Sequence, residues 1–223
     1  MTTQPEGVAQ ADALVRGAQA RAYRYPESFE GFRATLAWCT DTASGSGTVV
    51  AQCAPEIEVS LEADAREADA TWIERELRSI VGHRRFTEYD AADGAHEKSL
   101  PGGSHVLGQL VELGDPLDSS YRVAGGEIST VTRTMAGKRF TIVVHECQAV
   151  ADGRAVPVSF TVFFWDAESG ALTATEAYRD EVAEVDGVFL PAVRRVVRGD
   201  DTGLSVRELA LSDHALLGLA VAR

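Results

Sequence analysis

The chain has 223 residues, of which 45% are hydrophobic and 25% charged, and these values are ordinary for a globular protein with a substantial core. Its formal net charge is −13 at pH 7. A field of that sign repels phosphate backbones and anionic lipid surfaces, which argues against nucleic-acid binding. No stretch approaches the roughly 20 consecutive apolar residues that a membrane-spanning helix needs.

The start of the sequence has neither the basic residues nor the apolar run of an export signal. We therefore expect a cytoplasmic location, with residues 1–5 forming a flexible tail ahead of one α+β domain over residues 6–223. The three cysteines, Cys39, Cys53 and Cys147, are too sparse for a disulfide framework or a zinc site. We predict three reduced thiols, no metal and no cofactor.

Two helices are predicted in the first part of the chain. Apolar residues recur at helical spacing from Gly7 to Ala22, and most are alanines, so this helix can approach a neighbour closely but buries little area. Asp64 and Glu67 have the spacing of a capping box for a second helix, predicted from about Ala65 to Val81. One apolar stripe on this helix predicts its buried face: Trp72, Ile73, Leu77, Ile80 and Val81.

The rest of the sequence predicts strands joined by short turns. A first hairpin pairs Phe32–Trp38 with Thr48–Cys53 across a turn at Ser44–Gly47, and simple register would place Cys39 opposite Cys53. Further strands are predicted at Glu56–Leu61, Arg85–Asp90, Ala95–Leu100, Val106–Glu112, Ser120–Ala124, Glu127–Met135, Lys138–Gln148, Val156–Trp165, Leu172–Val185, Val188–Arg198 and Leu204–Leu211. His214–Val221 is predicted as a short helix or an apolar tail. This succession of hairpins indicates an antiparallel meander.

The last long hairpin supplies most of the candidate site. A tight turn at Asp186-Gly187 would place Tyr178 opposite Arg195, with Asp180 a diagonal neighbour. If this face points inward, Asp180 should accept a hydrogen bond from Arg195, because a guanidinium in an apolar cavity must be paired. The alternative is a ladder of exposed charges on the convex face. The predicted ligand-binding residues are Glu176, Tyr178, Asp180 and Arg195 of this hairpin, together with His83.

Several segments resemble those of an uncharacterised family, domain of unknown function 3386. The resemblance begins with Ala13–Ala18, includes His83–Phe86 and Gly126–Ile128, and ends with Tyr178–Asp180 followed by the Asp186-Gly187 turn and Leu190-Pro191. The order and spacing of these segments agree with those of the family from about Ala13 to Leu217. The family implies no activity and therefore no catalytic residue.

A weaker, local similarity relates the segment Asp166–Leu172 and the hairpin that follows it to the periplasmic lipoprotein-carrier fold. That resemblance implies an unclosed antiparallel barrel around helices, with an apolar cavity. The first residues do not have the pattern of the export signal that is typical of those carriers.

We therefore predict an α+β fold in which a long, curved antiparallel sheet, a half-open β-barrel, wraps around the N-terminal helices. The leading functional hypothesis is a non-catalytic binding protein for an apolar or amphipathic small ligand in the concave cavity of the sheet. One alternative is an enzyme that uses His83, Asp180 and Tyr178 for acid–base chemistry in that cavity. Another is a scaffold that docks a protein partner through a sheet edge or the C-terminal tail.

Overall fold

The computed structural model describes residues 5–53, 57–63, 65–103 and 105–218. The helices are α1 (Pro5–Arg21) and α2 (Glu67–Arg84). The strands are β1 (Gly31–Cys39), β2 (Ser44–Cys53), β3 (Ile57–Ala63), β4 (Lys98–Ser99), β5 (Gln109–Leu113), β6 (Ser120–Ala124), β7 (Glu127–Met135), β8 (Lys138–Ala149), β9 (Ala155–Asp166), β10 (Leu172–Val185), β11 (Val188–Asp200) and β12 (Gly203–Leu216).

All the described strands belong to one sheet in the order β3-β2-β1-β12-β11-β10-β9-β8-β7-β6-β5-β4. The sheet is antiparallel and not closed, since β3 and β4 stand at its two ends. The predicted α+β class with an open antiparallel sheet and helices at the N-terminal side of the sequence is confirmed. Within the described residues, neither helix is long and apolar enough to cross a membrane.

The described chain divides into two compact units. Unit 1 contains the described residues of Met1–Tyr23, Thr87–Ala177 and Arg198–Leu204. Unit 2 contains those of Arg24–Phe86, Tyr178–Val197 and Ser205–Arg223. Residues 1–4, which include most of the predicted tail, lie outside the described residues, and the division of the chain into tail and single domain stays a prediction.

In unit 1, α1 packs on β4, β6 and β7. Ala11 and Val15 of α1 are fully buried in a cluster with Val111, Leu113 and Tyr121 of the sheet. The small side chains of α1 allow this close approach, as the sequence indicates. They also limit how much of the sheet one helix can cover.

In unit 2, α2 packs on β2 and β3. The five residues of its predicted apolar stripe are all buried. The helix begins at Glu67 and continues through Gly82 to Arg84, three residues beyond the predicted end, and Arg84 is itself buried. Asp64 of the predicted capping box lies outside the described residues, and the N-cap residue is Arg66, whose side chain makes no capping hydrogen bond.

The first hairpin turns earlier than predicted. Residues 44–47 belong to β2, and the turn lies between Cys39 and Ser44, which are paired. The Gly-Ser-Gly pattern is a packing requirement here, because Gly45 is paired with Trp38 and a Cβ on Gly45 would lie 2.7 Å from the indole. Gly47 is likewise paired with Leu36. These glycines make room for large neighbours on the same face rather than forming a turn.

Two other predicted elements are corrected. The segment predicted as strands at 85–90 and 95–100 forms two 3₁₀ turns, Tyr89–Ala91 and Asp93–Ala95, followed by the two-residue β4. Side chains of α1 hold these turns, since Arg16 Nη2 donates to Asp90 Oδ1 at 2.6 Å and Gln19 Nε2 donates to Asp93 Oδ2 at 2.8 Å. At the other end of the chain, β12 extends as a strand to Leu216 where a helix or tail was predicted, and residues 219–223 lie outside the described residues.

The register of the first hairpin separates two of the cysteines. Cys39 is paired with Ser44 beside the turn, whereas Cys53 lies nine residues farther along β2. That distance is about 30 Å along a strand, far too long for a disulfide. All three thiols are free, and Cys39 is exposed. Burial raises the pKa of the Cys147 thiol to about 11, with a further increase from the charge of Glu127.

We predict that the three thiols react at very different rates with iodoacetamide at pH 8. Cys39 should be alkylated first and Cys147 last, because a pKa near 11 leaves only about one thiolate in a thousand at Cys147. Peptide mapping of timed samples measures the order, and denatured protein should lose the difference. Equal rates for Cys39 and Cys147 in the folded protein would contradict the described burial.

We also predict that Trp72→Ala lowers the free energy of unfolding by about 3–5 kcal/mol, because the buried indole fills the interface between α2 and the sheet of unit 2. Arg78→Ala on the same helix is the control, since Arg78 is largely exposed and makes only a long contact to Glu74. It should cost about 1 kcal/mol or less. Urea unfolding followed by circular dichroism measures both variants, and equal costs would show that the buried face of α2 is wrongly assigned.

Candidate functional site

The β10–β11 hairpin has the predicted turn, with positive φ angles at Asp186 (49°) and Gly187 (79°). The pattern of buried residues nevertheless differs from the pattern that simple register across a two-residue turn predicts. Asp180 and Arg194 are both buried, although direct pairing from this turn would put them on opposite faces. The burial of both residues requires a change of phase by one residue between the turn and this pair, which is the effect that a β-bulge has.

The change of phase coincides with four consecutive buried residues, Val188–Pro191. Pro191 has no N–H to donate to a neighbouring strand, and prolines within sheets concentrate at bulges and edges. Its carbonyl oxygen is in turn hydrogen-bonded to His214 Nε2 at 2.8 Å. Pro191 therefore gives a local reason for the change in register.

Arg194 is the centre of a buried ion-pair cluster in unit 2. Its Nε and Nη2 donate to the two carboxylate oxygens of Asp180 at 2.8 and 2.6 Å, and its Nη1 donates to Glu76 Oε2 at 3.2 Å. Glu76 also accepts a hydrogen bond from Arg75 at 2.9 Å. The Arg194 guanidinium carbon lies 4.9 Å from the centre of the Tyr178 ring. Two cations therefore face two carboxylates.

The electrostatics of this cluster favour a charged Arg194. Burial lowers the pKa of Arg194, but the charges of Asp180 and Glu76 and the hydrogen bonds to Asp180 outweigh burial and raise it. Both oxygens of Asp180 are occupied by the guanidinium. The arrangement joins the hairpin to α2, and its donors and acceptors are used within the protein.

The predicted hydrogen bond from Arg195 to Asp180 is wrong. The side chain of Arg195 is 57% exposed and contacts Glu208 of β12 at 2.6 Å. Arg194 points inward and Arg195 outward, so the predicted inward anchor is an exposed ion pair. The sequence could have indicated this exchange through Pro191, a proline in the middle of a predicted strand.

The other predicted site residues do not join this cluster. Glu176 belongs to unit 1, where its Oε1 accepts a hydrogen bond from Arg198 Nη1 at 2.7 Å. Arg198 also donates to Asp200 at 2.9 Å, and Asp200 has its pKa lowered to about 2 by hydrogen bonds from Thr202 and Arg198. His83 is an exposed residue in the last turn of α2. Tyr178 and Asp180 lie together, around Arg194, and the ligand-binding role of the five residues stays a prediction.

A second feature, in unit 1, is absent from the sequence predictions. Strand pairing puts Val131 of β7 opposite Ile142 of β8, and Ile142 opposite Val162 of β9. Directly paired residues lie on the same face of a sheet. Two further rows of paired residues complete this face. We call this set the apolar face of unit 1: Val131, Phe140, Ile142, Val144, Phe160, Val162 and Phe164.

The apolar face lies on the same side of the sheet as α1, because Val131 packs against the α1 cluster. Val162 is buried, and the other six residues are only partly buried. α1 packs mainly on β4, β6 and β7, so the face continues onto β8 and β9 beyond those strands. The sequence did not single it out because both faces of β9 are apolar, with Phe163 and Trp165 on the opposite face.

Polar groups border the apolar face at one end. Arg133 is paired with Phe140 and therefore lies on the same face. Its Nη2 donates to the Tyr121 hydroxyl at 2.7 Å, and that hydroxyl donates to Asp93 at 3.2 Å. Burial raises the pKa of Tyr121 to about 12, so its hydroxyl stays protonated at neutral pH. Arg133 Nε is a buried donor without a protein acceptor.

We predict that Arg194→Met lowers the free energy of unfolding by about 3–5 kcal/mol, because it leaves Asp180 and Glu76 buried without their shared cation. Arg195→Met is the matched control on the adjacent residue and should cost at most about 1 kcal/mol, because its pair with Glu208 is exposed. Urea unfolding measures both. A larger cost at Arg195 than at Arg194 would mean that the sequence-based register was right.

Comparison with known proteins gives a family and several solved structures. The chain is similar to a LolA superfamily protein from Nitrosomonas europaea, with 15% identity, a TM-score of 0.41, and coverage of 99% of this chain and 96% of the other. It is also similar to a putative outer membrane lipoprotein-sorting protein domain from Vibrio parahaemolyticus, with 11% identity, a TM-score of 0.43, and coverage of 96% and 95%. No curated protein matches the chain significantly in sequence.

The predicted cytoplasmic location is contradicted by these comparisons, since one of the neighbours is described as an outer membrane lipoprotein-sorting protein domain. That prediction rested only on the composition of the first residues. Among the described residues, no group of three histidine, cysteine, aspartate or glutamate side chains is arranged to hold a metal ion.

The family resemblance seen in the sequence is confirmed. The family described as "Protein of unknown function (DUF3386)" matches residues 7–217, which is nearly the whole chain and includes α1 from its third residue, all of α2 and every described strand. The chain belongs to this family.

Proposed function

We propose that the protein is a non-catalytic carrier that binds an apolar or amphipathic small ligand, such as a molecule with an acyl chain, on the apolar face of unit 1. The observation that carries this proposal is the row structure of that face, in which seven apolar side chains from three adjacent strands form one continuous surface. Contiguous apolar surface that remains accessible is the usual mark of a binding site.

The energetics support an apolar ligand. Six of the seven side chains retain solvent-accessible area, and each CH₂ group that a ligand buries contributes about 0.8 kcal/mol. Three phenylalanines provide wide contact surfaces with few rotatable bonds, which limits the entropy lost on binding. The face is formed by paired strands rather than loops, so it needs little reorganisation.

The polar border suits an amphipathic ligand better than a purely apolar one. Arg133 is fixed by Tyr121 next to Phe140, so its guanidinium places a positive charge at the border of the apolar face. The structural neighbours, a LolA superfamily protein and a putative outer membrane lipoprotein-sorting protein domain, agree with a carrier of lipid-like molecules.

The acid–base alternative gains no comparable support. Each carboxylate oxygen of Asp180 accepts a hydrogen bond from Arg194, so this carboxylate is held in a buried ion pair within the protein. The alternative of a protein scaffold has no specific observation in its favour and stays a prediction.

Phe164→Ser tests the proposal, with Phe163→Ser as its matched control. The two phenylalanines are adjacent on β9, both are partly buried, and they lie on opposite faces of the sheet. We expect Phe164→Ser to weaken the binding of a dansylated undecanoic acid by about tenfold or more, because it removes one large apolar contact. Phe163→Ser should leave the affinity within about threefold of wild type.

Fluorescence titration measures the affinities, and thermal melts establish that both variants are folded. Native mass spectrometry of freshly purified protein adds an independent reading through any lipid that co-purifies. A wild-type protein that does not bind the fatty acid, or an equal loss in both variants, would refute binding on the apolar face.

A further inference from the structure

Unit 2 contains a cavity that plays no part in the proposed carrier function. Its volume is about 300 Å³, at the lower end of the range for small-molecule sites. The turn after β1, the first turn of α2 and β12 form its walls. The lining residues are Thr40, Asp41, Thr42, Arg66, Ala68, Asp69 and Arg207.

Nearly all polar side chains of this cavity are engaged by the protein. Arg66 donates to Asp69 at 2.7 Å and to the Thr42 hydroxyl at 2.9 Å. The Thr40 hydroxyl donates to the carbonyl of residue 43. Both carboxylate oxygens of Asp41 accept from the backbone N–H of residue 206 at 3.1 Å. These groups form the walls and have few unused hydrogen-bonding positions.

Arg207 differs from the other lining residues. It is partly buried, and its guanidinium carbon lies 5.6 Å from the centre of the Trp72 ring. Trp72 is buried in α2, so the contact places the guanidinium beside a fixed aromatic ring. Within the described part of the chain, no carboxylate lies within ion-pair distance of Arg207, whereas Arg194 and Arg195 of the neighbouring strand both have such partners.

We infer that the cavity is a binding site for the oxyanion of a small molecule, a carboxylate or a phosphate, with Arg207 as the group that binds it. A guanidinium presents a planar fork of N–H donors that matches both anions, and the neighbouring Trp72 ring restricts the positions that the fork can take. The volume admits a phosphomonoester or a short carboxylic acid. The N-terminus of α2 borders the cavity, and Arg66 makes no side-chain capping hydrogen bond there.

The charges of the cavity set the expected strength of binding. Asp69 is neutralised by Arg66 at 2.7 Å, which leaves Arg207 and the exposed Asp41 as the other two charges. The net field in the cavity is therefore small. Affinity must come from the directed hydrogen bonds of the fork, and substitution by lysine, which retains the charge but loses the fork, should not restore it.

Titration of the full-length protein with sodium phosphate, glycerol phosphate and sodium acetate, at ionic strength held constant with sodium chloride, tests the inference. Nuclear magnetic resonance follows the Nε–H of Arg207 and the indole N–H of Trp72. We expect saturable shifts of both signals with at least one anion. Arg207→Gln should weaken binding by about tenfold or more, and Arg207→Lys should restore only part of this loss.

Arg195→Gln is the matched control, because it removes an exposed arginine of unit 2 outside the cavity lining, and should leave the affinity within about twofold. Co-sedimentation with phosphatidylglycerol vesicles distinguishes the source of the phosphate. Arg207-dependent sedimentation would identify a lipid headgroup, and saturation by soluble anions alone would identify a free small molecule. No saturable shift with any anion, or the same loss in Arg207→Gln and Arg195→Gln, would overturn the inference and leave Arg207 as a solvated arginine.

Discussion

The buried contact of Arg194 with Asp180 and Glu76 fixes the geometry of unit 2. Three charged side chains that are each about 95% or more buried must be placed so that each charge meets its partners, since an unpaired charge at that depth costs several kcal/mol. This requirement orients β10 and β11 with respect to α2 and directs Arg195 to the surface. It also fixes the rotation of α2 about its axis, because Trp72, Ile73 and Glu76 share the buried side of that helix.

In unit 1, the helix is attached to the sheet in a different way. α1 has mostly small apolar residues, so its burial in the α1 cluster provides little area, and polar contacts complete the attachment. Lys98, 4% exposed, lies 3.0 Å from Asp12, and the Tyr89 hydroxyl donates to Asp12 at 2.7 Å. Burial raises the pKa of Asp12, but these hydrogen bonds and the charge of Lys98 exceed that effect and lower it. A helix attached in this way covers only part of the sheet, and this is the physical origin of the accessible apolar face.

The two units therefore differ in the kind of group that the protein leaves without an internal partner. In unit 1 this is the accessible apolar face, which has Arg133 at its border and is the proposed site for a lipid-like ligand. In unit 2 the strongest charges are paired internally, and the exception at the cavity is the guanidinium of Arg207 over Trp72. Internal pairing makes the Arg194 cluster a structural element, although its residue types resemble those of a catalytic site. Exposure and free hydrogen-bonding positions, rather than charge alone, distinguish a binding group from a structural one.

The sequence by itself determined the family, the two helices, the buried stripe of α2 and the antiparallel succession of strands, because these depend on local periodicity and on turn residues such as Asp186 and Gly187. It could not determine which face of a strand points inward where both faces are apolar, as on β9, or where the phase of the buried residues changes along a strand, as before Arg194. Turn signals also misled where glycine serves a neighbour distant in sequence, as Gly45 does for Trp38. Only the tertiary structure decided which arginine is buried, where the apolar face lies and which guanidinium is left without a carboxylate. Each of these depends on side chains brought together by strand pairing and helix packing, and a single residue of register exchanges the two faces of a strand.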